Sequence, residues 1–206
     1  MIKTQNTANR RFNNRTMRHK RVYHTNMKIA QPSFSRFRED DNKLKIMVLG
    51  GLEEVGRNCT LFEYNGDIIL IDMGLQFPEE DMPGIDYIIP NISYLKGKEK
   101  SIRGVIISHA HYDHIGAIPH LMPSLGYPPI YGLPLTNAII KKRQEDYKSL
   151  RPLNIHNISI NEKLRLGIFE LEFFHLNHNI PDSMGIVINT PEGVIVHTGD
   201  WKFDFH

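Results

Sequence analysis

The chain has 206 residues, 40% of them hydrophobic, enough for one domain with a real core or for part of a larger one. Lys and Arg total 25 against 23 Asp and Glu, so the overall charge singles out no class of partner, and the lone cysteine, Cys59, excludes an internal disulfide framework and fits a reducing compartment. No apolar run has the length of a membrane span, and the N-terminus lacks the apolar centre of a secretory signal, so neither a membrane nor a secreted protein is expected.

Residues 1–42 carry ten basic side chains and three acidic ones, few aliphatics and no sustained hydrophobic period. A disordered basic arm is expected there, either merely solvated or attracting a polyanion by charge. An Arg-rich, acid-poor leader also suits organellar import, but the plainer expectation is a cytoplasmic protein with a basic arm. A folded domain is expected over 43–206. It opens with LKIMVLGG, a short apolar run ending in two glycines, read as a strand and a turn. CTLFEYNGDIILIDMG is two β-rich runs joined by Asn65-Gly66, a strong hairpin signal. QFPEEDMPGIDYIIPN reads as a surface loop and IRGVIIS, residues 102–108, as a buried strand. A helix is expected over 115–122, stopped by Pro123, then a short strand in PPIYG. Pro134 to Leu150 reads as a helix with Ala138, Ile139 and Ile140 facing inward. KLRLGI, FELEFFHL, SMGIVINT and GVIVHTG read as further strands, the last two joined by a hairpin-like PEGV turn. Strands dominate with helices between them, which fits sheets covered by helices.

SHAHYDHIGAIPH, residues 108–120, follows the buried strand directly. His109, His111, Asp113 and His114 are not spaced for one helix face, where ligands recur four residues apart. They are expected on an extended or looping segment. Imidazole and carboxylate suit zinc and related divalent ions, and four such ligands this close do not easily share one tetrahedral ion. A split is expected, His109 and His111 on one metal, Asp113 and His114 on a second. His178 lies just past FELEFF and Asp200 just past GVIV, each a polar residue at the end of an apolar strand. His178 is placed to complete the first metal's ligands, and Asp200 to bridge both ions. Two ions roughly 3.5–4 Å apart would clamp the attacking and leaving oxygens of a displacement and acidify a bound water. His197, beside the Thr198-Gly199-Asp200 turn, is placed to touch a ligand rather than a metal. Asp72 in LIDMG either hydrogen-bonds the cluster loop or is an ordinary turn-forming aspartate.

HAHYDH, then an isolated histidine, then the aspartate of TGD resembles the metallo-β-lactamase superfamily, with Asp72 fitting its first motif, His109 to His114 the second, His178 the third and Asp200 the fourth. From about Leu49 onward the sequence is similar to the ribonuclease J family of β-CASP nucleases. LGGLEEVGRNCTLFEY, IDMGLQFPEEDMPGIDYIIPNISYL, IISHAHYDHIGAIPHL, PIYGLPLT, HNIPDSMGIVINTPEG and HTGDWKFD carry that similarity, several of them outside the metal motifs. The resemblance implies an αββα sandwich of the α+β class and two zinc ions. It implies RNA as substrate, with endonuclease activity and 5′-to-3′ exonuclease activity favouring 5′-monophosphate ends. It further implies dimers or tetramers, and a role in mRNA decay and rRNA maturation. His109, His111 and His178 would bind one zinc, Asp113 and His114 the other, Asp200 would bridge, and Asp113 would orient or deprotonate the attacking water. The sequence stops at His206, before the β-CASP domain and the returning segment, with its last ligand histidine, that the family carries. The expectation is therefore an N-terminal portion, inactive by itself, with a hydrophobic sheet face exposed. A small-molecule metallohydrolase acting on a lactone, ester or thioester, and a non-catalytic RNA-binding fragment, are the competing readings.

Overall fold

A computed structural model of the chain describes residues 42–203. The expected basic arm lies outside the described residues except for Asn42. Strands β1 (Lys45–Gly50), β2 (Cys59–Tyr64) and β3 (Asp67–Ile71) form an antiparallel meander. The β2–β3 turn is the expected two-residue Asn65-Gly66 link, with φ of 48° and 80°, the left-handed pair that matches the twist of flanking strands. The chain then crosses over to continue the same sheet in parallel through β4 (Ile102–Ile106), β5 (Ile130–Gly132) and β6 (Ile155–Asn157), giving the order β1-β2-β3-β4-β5-β6. A second, antiparallel sheet takes β7 (Lys163–Leu166), β8 (Phe169–His175), β9 (Met184–Thr190) and β10 (Gly193–His197) in the order β10-β9-β8-β7.

The period of two along each strand decides which layer a side chain joins. In β3, Ile68 and Leu70 pack with Leu61, Val105 and Ile107 against Ile115, Ile118, Leu121 and Ile140 of the helices. Ile69 and Ile71 point the other way, with Phe62 and Ile106, onto Phe169, Leu171, Phe173, Ile186 and Ile188 of the second sheet. All four residues from Ile68 to Ile71 are fully buried, so β3 is the shared middle of both cores and reads as an unbroken apolar run rather than an alternating one. Truncating Leu70 to Ala at this depth costs about 2–5 kcal/mol. Helix layer, first sheet and second sheet are the layers expected of the N-terminal portion of an αββα sandwich. Ile46 and Val48 of β1 and Val194 and Val196 of β10 are exposed, 47–64% of each surface, in line with the expected apolar sheet face.

Three elements differ from the sequence reading. The helix expected at 115–122 is two single turns, α1 (Tyr112–Ile115) and α2 (Ile118–Leu121). The segment after β3 separates them: Met73 N–H donates to His114 O, and Met73 O accepts Ala117 N–H, which competes for the groups a continuous helix needs. As a consequence Asp113 and His114 sit on a helical turn, not on the extended segment expected for the whole cluster. Helix α3 spans Pro134–Gln144, shorter than expected, and buries Thr136, Asn137 and Ile140 while Ala138 is exposed. Asn137 takes the inner face because its amide donates to Gly132 O, His156 O and Asn157 Oδ1, tying the helix to β5 and β6. Strand β6 itself, three residues long, has no signal in the sequence pattern.

Candidate metal centre

The residues of the expected site lie at or just beyond strand ends, with Asp113 and His114 on the α1 turn that follows β4. Asp72 follows β3 and His109 follows β4, two parallel neighbours whose carboxyl ends open a crevice of the kind that binds ligands in such sheets. His178 follows β8 and Asp200 follows β10, and these meet the β4 end because Met184 N–H donates to Ser108 O at 3.0 Å. Gly199, with φ of 55°, turns the chain over Ser108; a Cβ there would sit 3.2 Å from that of Ser108. His111 keeps an extended backbone, with φ −67° and ψ 151°, and its carbonyl accepts from His114 and Ile115, so α1 begins inside the cluster.

Asp72 organises the centre. It is 1% exposed and held at φ of 63°, a conformation uncommon for a non-glycine residue and typical of constrained sites. Its Oδ1 accepts Ser108 N–H at 2.7 Å, and its Oδ2 accepts both Ser108 Oγ–H and His114 Nδ1–H at 2.8 Å. The serine hydroxyl has one proton and gives it to the carboxylate. The His109 Nδ1–H then donates to Ser108 Oγ across 3.0 Å. Both rings are thereby fixed with Nδ1 protonated, so the lone pair of His109 Nε2 faces the centre, and His114 presents Nε2 as well.

Two groups of ligand atoms result, each drawn together within 4.8 Å: His109, His111 and His178, and His109, His114 and Asp200. His111 Nδ1 lies 3.0 Å from both His109 Nε2 and His178 Nε2. Ligands about 2.0–2.1 Å from a tetrahedral zinc stand about 3.3 Å apart, so three nitrogens at this spacing suit one face of such a site. Asp200 Oδ2 is 3.5 Å from His114 Nε2 and 3.9 Å from His178 Nε2, between the two groups. Asp113 Oδ2 is 3.4 Å from His114 Nε2. The structure thus brings together all six expected ligands, but the second three-residue group draws in His109 where the sequence reading had Asp113.

Electrostatics favour a cation here. Burial pushes the His114 ring down, yet Asp72, Asp113 and Asp200 outweigh it and raise the ring to about 12. Burial and the neighbouring His114 lower His109 to about 4. A hydrogen bond with His114 lowers Asp200 to about 2 against the effect of burial. Three carboxylates therefore surround one imidazolium, and the surplus negative charge beside neutral imidazoles fits divalent ions as guests. His197 is part-buried, and the loss of hydration lowers it. Its Nδ1 accepts Gly199 N–H at 3.2 Å, in the turn that carries Asp200. Beside the cluster lies a cleft of about 320 Å³ lined by Gly50, Gly51, Cys59, Asp72, His197 and Asp200 among others.

Two residues escaped the sequence reading. Ser108 relays between Asp72 and His109, and its place at the head of SHAHYDH was the only hint. Asn58, 55 residues before Asp113, has its Nδ2 3.2 Å from Asp113 Oδ2 and from His114 Nε2. Nothing local marks it, since an asparagine before a strand is an ordinary turn residue.

Residues 52–204 match the model of the metallo-beta-lactamase superfamily. Ribonuclease J 1 of Streptococcus pyogenes is 41% identical over 164 residues, covering 80% of this chain and 29% of that protein. Ribonuclease J of Thermus thermophilus is 42% identical over 168 residues, covering 78% and 29%. The chain thus spans under a third of the length of these relatives. The crystal structure of the metallo-beta-lactamase fold protein YhfI from Bacillus subtilis superimposes with a TM-score of 0.54 at 20% identity, covering 80% of this chain and 65% of that one. Among the described residues no helix is long and apolar enough to cross a membrane.

Proposed function

This chain belongs to the metallo-β-lactamase superfamily, and from that premise we propose that it forms the metal-binding part of an RNA-cleaving hydrolase of the ribonuclease J kind. The observation that carries the reading is the convergence of His109, His111, His178, His114 and Asp200 from separate strand ends on two adjoining sites. The 41–42% identity to ribonucleases J through most of the chain points that chemistry at RNA rather than at a small ester. His109, His111 and His178 would hold one divalent ion, zinc by the ligand set, and Asp113 and His114 the second, with Asp200 serving both. When bound, the ions supply a water acidic enough to ionise near neutral pH and positive charge for the phosphoryl oxygens.

The residues of the chain do the rest. Burial raises the Asp113 carboxyl but the His114 ring outweighs it and holds it below the usual carboxylate range, so it is ionised and able to orient an attacking water by accepting its hydrogen bond. Ser108 and Asp72 hold the His109 and His114 rings by their Nδ1 atoms and leave Nε2 of each turned toward the cluster. The water's oxygen bonds to phosphorus as the phosphodiester P–O bond breaks, its proton goes to solvent, and the departing ribose oxygen takes a proton from solvent. The finer reading is endonuclease and 5′-to-3′ exonuclease activity on 5′-monophosphate RNA, in mRNA decay and rRNA maturation, by a cytoplasmic dimer or tetramer. The test sets zinc-loaded full-length protein against 5′-monophosphorylated RNA, a lactone and a thioester in parallel. RNA cleavage abolished by His111→Ala is expected; turnover of the lactone or thioester with RNA left intact would overturn the reading.

A further inference from the structure

Asn58 stitches three segments together. Its N–H donates to Asp113 O at 3.0 Å, and its C=O accepts Gly74 N–H at 2.8 Å. Any residue at 58 makes those two backbone bonds. The side chain adds something specific. Its Nδ2 lies 3.2 Å from Asp113 O, from Asp113 Oδ2 and from His114 Nε2. Two acceptors on Asp113 fix which end of the carboxamide faces the cluster. The other end, Oδ1, rests against Gly51, where φ is 90° and where a Cβ would collide with it. The carboxamide is therefore seated on both sides. Asp113, by contrast, stands on a one-turn helix with its side chain 28% exposed. Its carboxylate is held by the Asn58 amide on one side and the His114 ring on the other.

We propose that Asn58 is a positioning residue for the second ion: its carboxamide pins one oxygen of Asp113 so that this carboxylate and His114 face the same cation. The inference rests on the two-ion reading given above. A ligand's hydrogen-bond partner of this kind typically controls affinity by ~10–100-fold. The chain is stripped with chelator and titrated with cobalt(II), whose visible absorption reports each equivalent. Asn58→Ala is expected to weaken the second equivalent by ~10–100-fold and to leave the first within about twofold. In an Asp113→Ala background the same change is expected to add no more than about twofold, because the acceptor it acts through is already gone. If Asn58→Ala does not fold, Asn58→Ser takes its place, since a serine hydroxyl is too short to span to Asp113 Oδ2. Equal loss of both equivalents, or loss of neither, overturns the proposal while the two-ion reading stands. A wild-type chain that takes up no cobalt overturns both together.

Discussion

Replacing Asp72 by Asn changes one atom and removes one charge, yet the geometry predicts a large effect on metal binding. The carboxylate accepts three hydrogen bonds, from Ser108 N–H, Ser108 Oγ–H and His114 Nδ1–H. The amide introduced by Asp72→Asn keeps an oxygen for Ser108 N–H only by turning its NH₂ toward the serine hydroxyl and His114. The serine accommodates this by accepting. His114 Nδ1–H then faces a donor, and the ring, an imidazolium in the wild type, answers by giving up its Nδ1 proton and keeping the one on Nε2, the nitrogen that faces Asp113 and Asp200. A metal at that position must first displace the proton without the help of the buried charge. The expected loss is ~10–100-fold in affinity for the second ion, about 1.4–2.7 kcal/mol. Loss of a charge-assisted buried bond costs the fold about 1.5–3 kcal/mol, and at about 2–4 °C per kcal/mol for a domain of this size Tm falls by about 3–12 °C. Zinc titration against a chromophoric chelator and thermal unfolding of the stripped chain measure the two effects separately. A folded Asp72→Asn chain that binds both ions as tightly as wild type would refute the assignment of Asp72 as the group that sets the tautomer.

The pH dependence of the metal-free chain has opposed limbs. His114 is raised to about 12, so its stabilisation is full below its unfolded value near ~6.5 and declines as pH rises toward 12. His109 is lowered to about 4, so its contribution is present above ~6.5 and lost as pH falls toward 4. Chelator-treated chain should therefore have its highest urea midpoint near pH ~6.5; a midpoint that climbs steadily from pH ~5 to ~9 would contradict the charge assignment. Zinc entry should release close to one proton at neutral pH, because the ion replaces the His114 proton; calorimetry in buffers of different ionisation enthalpy reads that number, and zero release would count against it. Gly74→Ala drives a Cβ into the Asp113 carbonyl, so the α1 turn must shift. The variant should lose the second ion and several kcal/mol of stability, about 3 or more, and a variant unfolding with wild type would show that the Gly74–Asp113 contact is not that close in solution.

Much of this was legible in the residues. Asn65-Gly66 specified a hairpin because only left-handed residues fit a two-residue turn, and the structure has one. The apolar runs became strands because β3 and β4 are buried on both faces. The cluster at 109–114 was visible because four ligand-type side chains share six positions, and His178 and Asp200 because each follows an apolar strand. What stayed hidden was set by distant partners. The helix at 115–122 broke because Met73, some forty residues earlier, bonds His114 and Ala117. The buried face of α3 followed an asparagine because its amide ties two strands, against its polarity. Asn58 reaches Asp113 only after β2 and β4 pair with β3 between them. The grouping of His109 with His114 and Asp200 depends on ring orientations that Ser108 and Asp72 set, and spacing along a chain carries no such information.

The most direct test is the metal content of the purified chain by native mass spectrometry after zinc loading. Two ions per chain are predicted, with His111→Ala or His178→Ala losing the first and Asp200→Ala weakening both. A chain that holds no zinc, or whose zinc content is indifferent to His111 and His178, would contradict a two-ion centre built from these strand ends.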